Sequence, residues 1–234
     1  MSDREKLAPG LYLIATPIGN LGDLSRRAVE TLRAVDRLYA EDTRHSRRLL
    51  EHLGIDRPLQ PCHEHNEEPV AGEIASLISN GESCGLISDA GTPGISDPGF
   101  RVVRACRRRG LAVVPVPGAS AVIAALSVSG LPTDAFRYHG FLPPRRAARL
   151  RHFEEHRHAR ETLVYFESTH RIGKFIGDAE AVFGPERVVC VARELTKQHE
   201  TVLTGPLQEV KTRLASGSSK GEFVVMIAKE GYEL

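Results

Sequence analysis

Apolar residues along the chain fall into short runs, separated by longer stretches in which they recur every three or four positions. Short runs bounded by turn residues fit strands, and the wider spacing fits one face of a helix. In the first half this pattern predicts strands over 11–15, 37–40, 58–62, 85–88 and 112–116. Helices are predicted over 25–34, from Thr43 to a left-handed cap at Gly54, over 68–80 with a stop at Gly81, and over 100–109. The first takes Asp23 or Ser25 as N-cap and buries Ala28, Val29 and Leu32; the fourth follows Pro98, which suits a first helical turn. After the fifth strand, Pro117-Gly118-Ala119-Ser120 leads into a helix of small residues.

Near Gly130 the character changes. Leu131-Pro132-Thr133-Asp134 is turn chemistry, a strand follows over 137–142, and Pro143-Pro144 interrupts it. Residues 145–160 are polar and cationic with few apolar anchors. The alternation then resumes, with strands over 162–167, 187–192, 200–203 and 223–228, helices over 168–183 and 206–215, and a Gly-Ser-Ser-Lys-Gly loop before the last strand. Strands alternating with helices predict α/β architecture, mainly parallel in the first half with room for antiparallel pairs in the second. The boundary falls between Pro117 and Asp134 and gives domains 8–120 and 121–234, two α/β lobes with a cleft between them.

The densest punctuation lies at 89–99. Gly85 to Ser88 continues an apolar run from Cys84, and then three glycines, two prolines and two aspartates follow within eleven residues. Such a segment is neither helix nor ladder; it is a tightly bent loop with exposed backbone amides. A strand, a Gly-rich bend and a helix together make a ligand loop at the carboxyl edge of a parallel sheet. The other unusual residues also sit at strand ends, in 16–23, 41–48, 63–67 and 118–120, so a composite site from distant loops is expected.

Composition alters this picture little. The 234 residues suffice for two compact domains of roughly 110 residues or one large one. At 41% hydrophobic and 26% charged the chain is ordinary for a soluble globular protein, and a net charge of +1 favours no particular partner. Only six of the 31 basic residues are lysine, a bias that reads either as genome composition or as clustering toward phosphates. Cys62, Cys84, Cys106 and Cys190 make no C-x-x-C pair, which suits reduced, buried thiols in the cytosol. The charged start, Met-Ser-Asp-Arg-Glu-Lys, gives no signal-peptide pattern, and the apolar window 111–130 is split by Pro115, Pro117 and Gly118. A soluble cytoplasmic protein without membrane contact is expected.

No G-x-G-x-x-G follows the first strand and no G-x-x-x-x-G-K-[ST] occurs, which argues against a dinucleotide enzyme or a P-loop ATPase. Loops presenting amides and small side chains suit an adenosine-type ligand instead. His63-Glu64-His65 lacks a second cluster at ligand spacing and reads as a solvated loop, so no metal is expected. Arg44, His45, Arg47 and Arg48 open a helix, where amides and guanidinium groups meet phosphate well; a solvated cationic face is the alternative. The residues 101–109 read as a solvated arginine face. Arg145, Arg146, Arg149 and Arg151 follow the Pro-Pro break, as a cationic rim for RNA phosphates or another solvated face. With 6% aromatic residues no stacking platform is indicated.

Six segments carry a family resemblance: Ala15-Thr16-Pro17-Ile18-Gly19-Asn20-Leu21, Ala40-Glu41-Asp42-Thr43-Arg44, His63-Glu64-His65-Asn66-Glu67, Ser88-Asp89-Ala90-Gly91-Thr92-Pro93, Tyr165-Phe166-Glu167-Ser168-Thr169-His170-Arg171 and Ala192-Arg193-Glu194-Leu195-Thr196-Lys197. In this order they resemble the ribosomal RNA small-subunit methyltransferase I family of the tetrapyrrole-methylase superfamily. The resemblance implies two α/β lobes of the tetrapyrrole-methylase type with S-adenosylmethionine in the cleft between them. It implies 2′-O-methylation of a cytidine ribose in the decoding region of 16S ribosomal RNA, within the small ribosomal subunit, by a homodimer. Donor contacts carried over by the resemblance are Pro17, Ile18, Asp89, Gly91, Thr92, Ile95, Ser120, Ala121, Phe166, Ala192 and Glu222. RNA contacts are expected at Arg44, His45, Arg47, Arg48, His65, Asn66, Arg145, Arg146 and Arg149. The Thr16-Pro17-Ile18-Gly19 form departs from the Gly-rich first loop of the tetrapyrrole enzymes, which favours the RNA branch.

A ribose hydroxyl is a poor nucleophile until its proton is accepted or held, which calls for a carboxylate or an imidazole. Asp89 and Glu167 are the candidates, with His63, His65 and Asn66 as positioning groups; Asp89 alternatively only holds its loop. Two other functions share these features: a tetrapyrrole C-methyltransferase of the same fold, and a ribosome-binding module without catalysis.

Overall fold

The computed structural model describes residues 7–218 and 220–234. The charged start lies outside these residues, as does Ser219 of the loop before the last strand. The chain divides into two compact units, one running to Ser120 and one from Ala121 to Leu234.

The first unit holds five strands, β1 (Gly10–Ile14), β2 (Arg37–Ala40), β3 (Gln60–Pro61), β4 (Ser83–Ile87) and β5 (Val113–Val116). They are ordered β3-β2-β4-β1-β5 and every pairing is parallel, so all carboxyl ends meet at one edge. Alternation along the strands decides what each face buries. Leu11, Tyr39 and Leu86 pack with helices α3 (Glu67–Ser79) and α4 (Phe100–Arg108), through Ile74, Ile78, Val102 and Cys106. Tyr12, Ile14, Leu38 and Ile87 pack with α1 (Arg26–Ala34) and α2 (Thr43–His52), through Ala28, Leu32 and Leu50. Both faces are thus covered, as a parallel sheet requires.

Local chemistry sets the helix boundaries. Ser25 is the N-cap of α1, its hydroxyl accepting from the Ala28 amide at 3.1 Å. Gly54, at φ +63°, ends α2 as expected. Pro98 stands before the helix rather than in its first turn, because Gly99 takes the cap position of α4. The third strand is shorter than its apolar run: Pro58 and Pro61 limit what the edge can pair.

The second unit holds β6 (Phe136–Phe141), β7 (Thr162–Ser168), β8 (Val188–Arg193), β9 (Thr201–Pro206) and β10 (Glu222–Ile227), in the order β6-β7-β10-β8-β9. Only β6 and β7 run parallel; the remaining pairs are antiparallel. One sheet face packs Leu163, Tyr165, Val189, Val225 and Ile227 with α6 (Arg146–Glu155), α7 (Ile172–Phe183) and α8 (Leu207–Ser216). Helix α5 (Ala121–Ser129) contacts β8, β9 and β10. The cationic stretch after Pro143-Pro144 is therefore a helix, which the sequence pattern did not indicate. Phe153, fully buried, and Arg149 are the inward anchors of α6. No helix among the described residues is long and apolar enough to cross a membrane, and the four cysteines are buried and free.

Candidate active site

At the carboxyl edge of the first sheet, β1 and β4 are neighbours and the loops that leave them are joined. Thr16 donates its amide to the Gly91 carbonyl at 2.8 Å, and Gly91 returns the bond to Thr16 at 3.1 Å. The Thr16 hydroxyl donates to the Ser88 carbonyl at 3.1 Å. The Thr92 hydroxyl reaches the Ala119 carbonyl at 3.3 Å, tying the same loop to the segment after β5. On the other side, Asp89 Oδ1 accepts the Asp42 amide at 3.1 Å, just past β2. Three loops far apart in sequence are thus pinned to the segment 88–92.

Gly91 makes the close approach possible. Its φ is +77°, and a Cβ there would lie 3.3 Å from Ile18 Cγ2 and 3.6 Å from the Ala119 carbonyl oxygen. Pro17 and Ile18 are half-buried beside it, and Ile95 is 50% exposed farther along the loop. Gly99 closes the loop at φ +144°, where a Cβ would meet the Gly94 nitrogen at 3.0 Å. Buried Glu67, from the start of α3, accepts the Gly99 and Arg101 amides, each at 2.8 Å. It thereby supplies the side-chain cap that α4 lacks from its own residues.

Two carboxyls that sequence reasoning missed belong to this edge. Burial, then the facing carboxylates Asp97 and Asp89, push Glu41 up to about 7. Burial also pushes Asp97 up to about 6, with the Asp89 charge adding to it and a Ser88 hydrogen bond opposing it. Asp97 stood in the Gly-rich loop and Glu41 at a strand end, but nothing local marked either as crowded by other acids. Groups poised in this way are matched to proton exchange near neutral pH.

The cationic residues divide sharply. Arg44, His45, Arg47 and Arg48 are exposed on α2, but Asp42 occupies the Arg44 and His45 amides. The expected meeting of phosphate with the α2 amides is therefore closed off, while the guanidinium groups stay outward. His65 is exposed. Asn66 is used up internally: its Oδ1 accepts the His63 amide at 2.7 Å and its Nδ2 donates to the Pro61 carbonyl at 3.0 Å. Arg145 and Arg146 are exposed, the latter bonded to Asp178 at 2.8 Å. Arg149 corrects the expectation: its side chain is 3% exposed and paired with Asp178, so it offers no charge to an RNA.

Within the second unit, Glu167 has no exposed side-chain surface; its Oε1 accepts the Ser168 amide at 2.8 Å and lies 3.3 Å from Arg171 Nε. Its Oε2 is buried without a partner among the described residues. Phe166 is half-buried against Tyr138 and Phe141. Ala192 is fully buried and pairs with both β10 and β9, leaving no free side-chain surface. Glu222 is exposed and bonded to Lys197 at 2.8 Å. Ser120 and Ala121 are half-buried where the two units meet in sequence.

A family model, that of the tetrapyrrole (corrin/porphyrin) methylases, matches residues 10–211. The ribosomal RNA small subunit methyltransferase I of Xylella fastidiosa (strain Temecula1) is 52% identical over 222 residues, 94% of this chain and 81% of that protein. The protein of the same name from Escherichia coli O157:H7 is 44% identical over 225 residues, 95% of this chain and 78% of that protein. The chain belongs to the ribosomal RNA small subunit methyltransferase I family. As a member of this family it is a methyltransferase with the tetrapyrrole methylase fold. Among solved structures, diphthine synthase superposes with a TM-score of 0.70 at 15% identity, covering 93% of this chain and 89% of that one. Uroporphyrin-III-C-methyltransferase from Thermus thermophilus gives 0.62 at 21% identity, covering 94% of each chain. At these identities the likeness concerns the fold alone.

Proposed function

We propose that this family member transfers a methyl group from S-adenosylmethionine to the ribose 2′-hydroxyl of a cytidine in the decoding region of 16S ribosomal RNA. It acts on the small ribosomal subunit, as a homodimer in the cytoplasm. The RNA reading is supported by relatives named ribosomal RNA small subunit methyltransferase I. The observation that carries the site is the pinning of the Thr16, Asp42 and Ala119 segments to the loop at Asp89–Thr92.

These residues fit a methyl donor of this kind. The reciprocal bonds between Thr16 and Gly91, and the absence of a Cβ at Gly91, bring main chain close to Ile18 and Ala119. Pro17, Ile18 and Ile95 offer apolar surface for an adenine. Asp89, Gly91, Thr92 and the Ser120–Ala121 turn offer polar and main-chain groups. In the second unit Phe166, Ala192 and Glu222 are proposed as further contacts, Ala192 through its main chain only. When bound, the donor supplies an electrophilic methyl on a positively charged sulfur. Glu41, Asp89 and Asp97 complement that charge.

The chain's own contribution is largely orientation, which lowers a barrier by up to ~7–11 kcal/mol when reacting groups are held in line. Its second contribution is a place for the hydroxyl proton. Asp89 and Glu167 are the proposed acceptors, and Glu41, at about 7, joins them as a group suited to proton exchange near neutral pH. Outward guanidinium groups at Arg44, Arg47, Arg48, Arg145 and Arg146, with His45 and His65, hold RNA phosphates. Asn66 keeps the His63–His65 loop in shape.

The test is transfer of labelled methyl to assembled small subunits, followed by mass mapping of their RNA. Label is expected on one cytidine ribose, and Asp89→Ala is expected to remove it. Label on a porphyrin-type ring instead would transfer the case to a tetrapyrrole C-methyltransferase. Absence of donor binding by calorimetry would leave only a ribosome-binding module.

A further inference from the structure

Strand β6 contains one residue more than its partner can match. Tyr138 pairs with Val164 and Gly140 with Tyr165, so His139 sits in a bulge with no partner of its own on β7. A bulge bends its strand and re-aims the side chain it carries. Here the His139 ring lies flat on Tyr165, with centroids 5.1 Å apart and planes 13° apart. Its edges meet the His152 and His156 rings, each at 4.6 Å between centroids.

His152 lies in the last turn of α6 and His156 is its C-cap, four residues on, so the two side chains fall on the same side of the helix end. Their rings are stacked, with centroids 4.4 Å apart. One ring nitrogen from each of the three histidines lies within 4.8 Å of the other two. His139 Nε2 and His152 Nε2 are buried with no hydrogen-bond partner among the described residues. The Tyr165 hydroxyl beside them is in the same condition. His156 Nδ1 lies 2.8 Å from the His152 carbonyl, and donating there leaves its Nε2 lone pair free. Metal-bound histidines are held in this way, one ring nitrogen donating to a carbonyl while the other ligates.

We propose that His139, His152 and His156 bind one divalent transition-metal ion of the zinc type, which ties the bulge of β6 to α6. The donor set is three imidazoles, a set that suits zinc, nickel, cobalt or copper over magnesium or calcium. Burial, then the two neighbouring imidazoles, push His139 down to about 4. A tetrahedral ion at Zn–N distances of about 2.05 Å needs ligand nitrogens about 3.3 Å apart. Binding would draw the ring nitrogens in from their spacing of up to 4.8 Å by rotation of the side chains. All three residues are half-buried, and a water is proposed as the fourth ligand. The site belongs wholly to the second unit and uses none of the residues assigned to methyl transfer.

The experiment uses the full chain, stripped with a chelator and titrated with zinc ion alone by calorimetry. One equivalent is expected to bind and to raise the melting temperature. His156→Gln and His139→Gln should each weaken binding at least ten-fold, whereas a His63→Gln/His65→Gln double variant should bind as the parent does. Cobalt ion titrated into the parent chain should give the intense visible bands of a four-coordinate site, without the sulfur-to-metal band that the cysteines would produce. His156 is the C-cap of α6 and only half-buried, so its variant should fold even where His139→Gln does not. No stoichiometric binding, binding unchanged in His156→Gln, or a cobalt spectrum of thiolate type would each overturn the proposal.

Discussion

At the scale of single residues, the first unit turns on carboxyls whose neighbours are other carboxyls. Glu41 at about 7 and Asp97 at about 6 both lie above the usual carboxylate range. The folded chain therefore binds more protons than the unfolded chain between roughly pH 4 and pH 7. Stability from these groups is full below about pH 4 and declines as the pH rises through about 7. Glu41→Gln is expected to flatten that decline, read as a smaller change in urea midpoint between pH 5 and pH 8 than the parent shows. Glu67 differs, being a buried carboxylate spent on the Gly99 and Arg101 amides. Asp89 combines the two patterns, with one oxygen holding the Asp42 amide. The sequence marked Asp89 through its loop. It could not mark Glu41, because crowding by Asp97 and Asp89 is a property of folded space, not of neighbours in the chain.

At the scale of elements, α6 separates patterning from burial. Its residues read as a uniform cationic run, and no apolar stripe announces a helix. The helix is fixed instead by Phe153 in the core and by Arg149, whose guanidinium meets Asp178 on α7. Although burial works against it, hydrogen bonds from Arg146 and Arg149 hold Asp178 below its ordinary value. Removing one partner of a buried pair leaves an uncompensated charge and costs about 3–5 kcal/mol. Asp178→Ala is therefore expected to lower stability by about that amount in urea unfolding, because Arg149 stays buried. An exposed rim arginine such as Arg145 should show almost no effect in the same measurement. The same blindness to α6 hid His152 and His156: their spacing has meaning only on a helix, and the third histidine comes from a bulge in β6.

At the scale of the whole molecule, a net charge of +1 means that RNA affinity must come from local clusters rather than from the overall field. Each phosphate contact on a single strand contributes about 0.7 to the slope of log affinity against log salt. An Arg47→Glu/Arg48→Glu double variant is thus expected to reduce that slope by about 1.4 in filter binding to small-subunit RNA, with donor affinity unchanged. The sequence by itself determined the alternation of strands and helices, the parallel first half, the bent loop at 89–99 and, through its motifs, the family. These are readable because side-chain periodicity and the demands of glycine and proline act over a few neighbouring residues. Tertiary structure alone decided which arginines face outward, which carboxyls crowd one another, and that three histidines meet. Each of those depends on how the fold brings together groups that the chain does not set side by side, and burial changes the chemistry of a side chain without changing its letter.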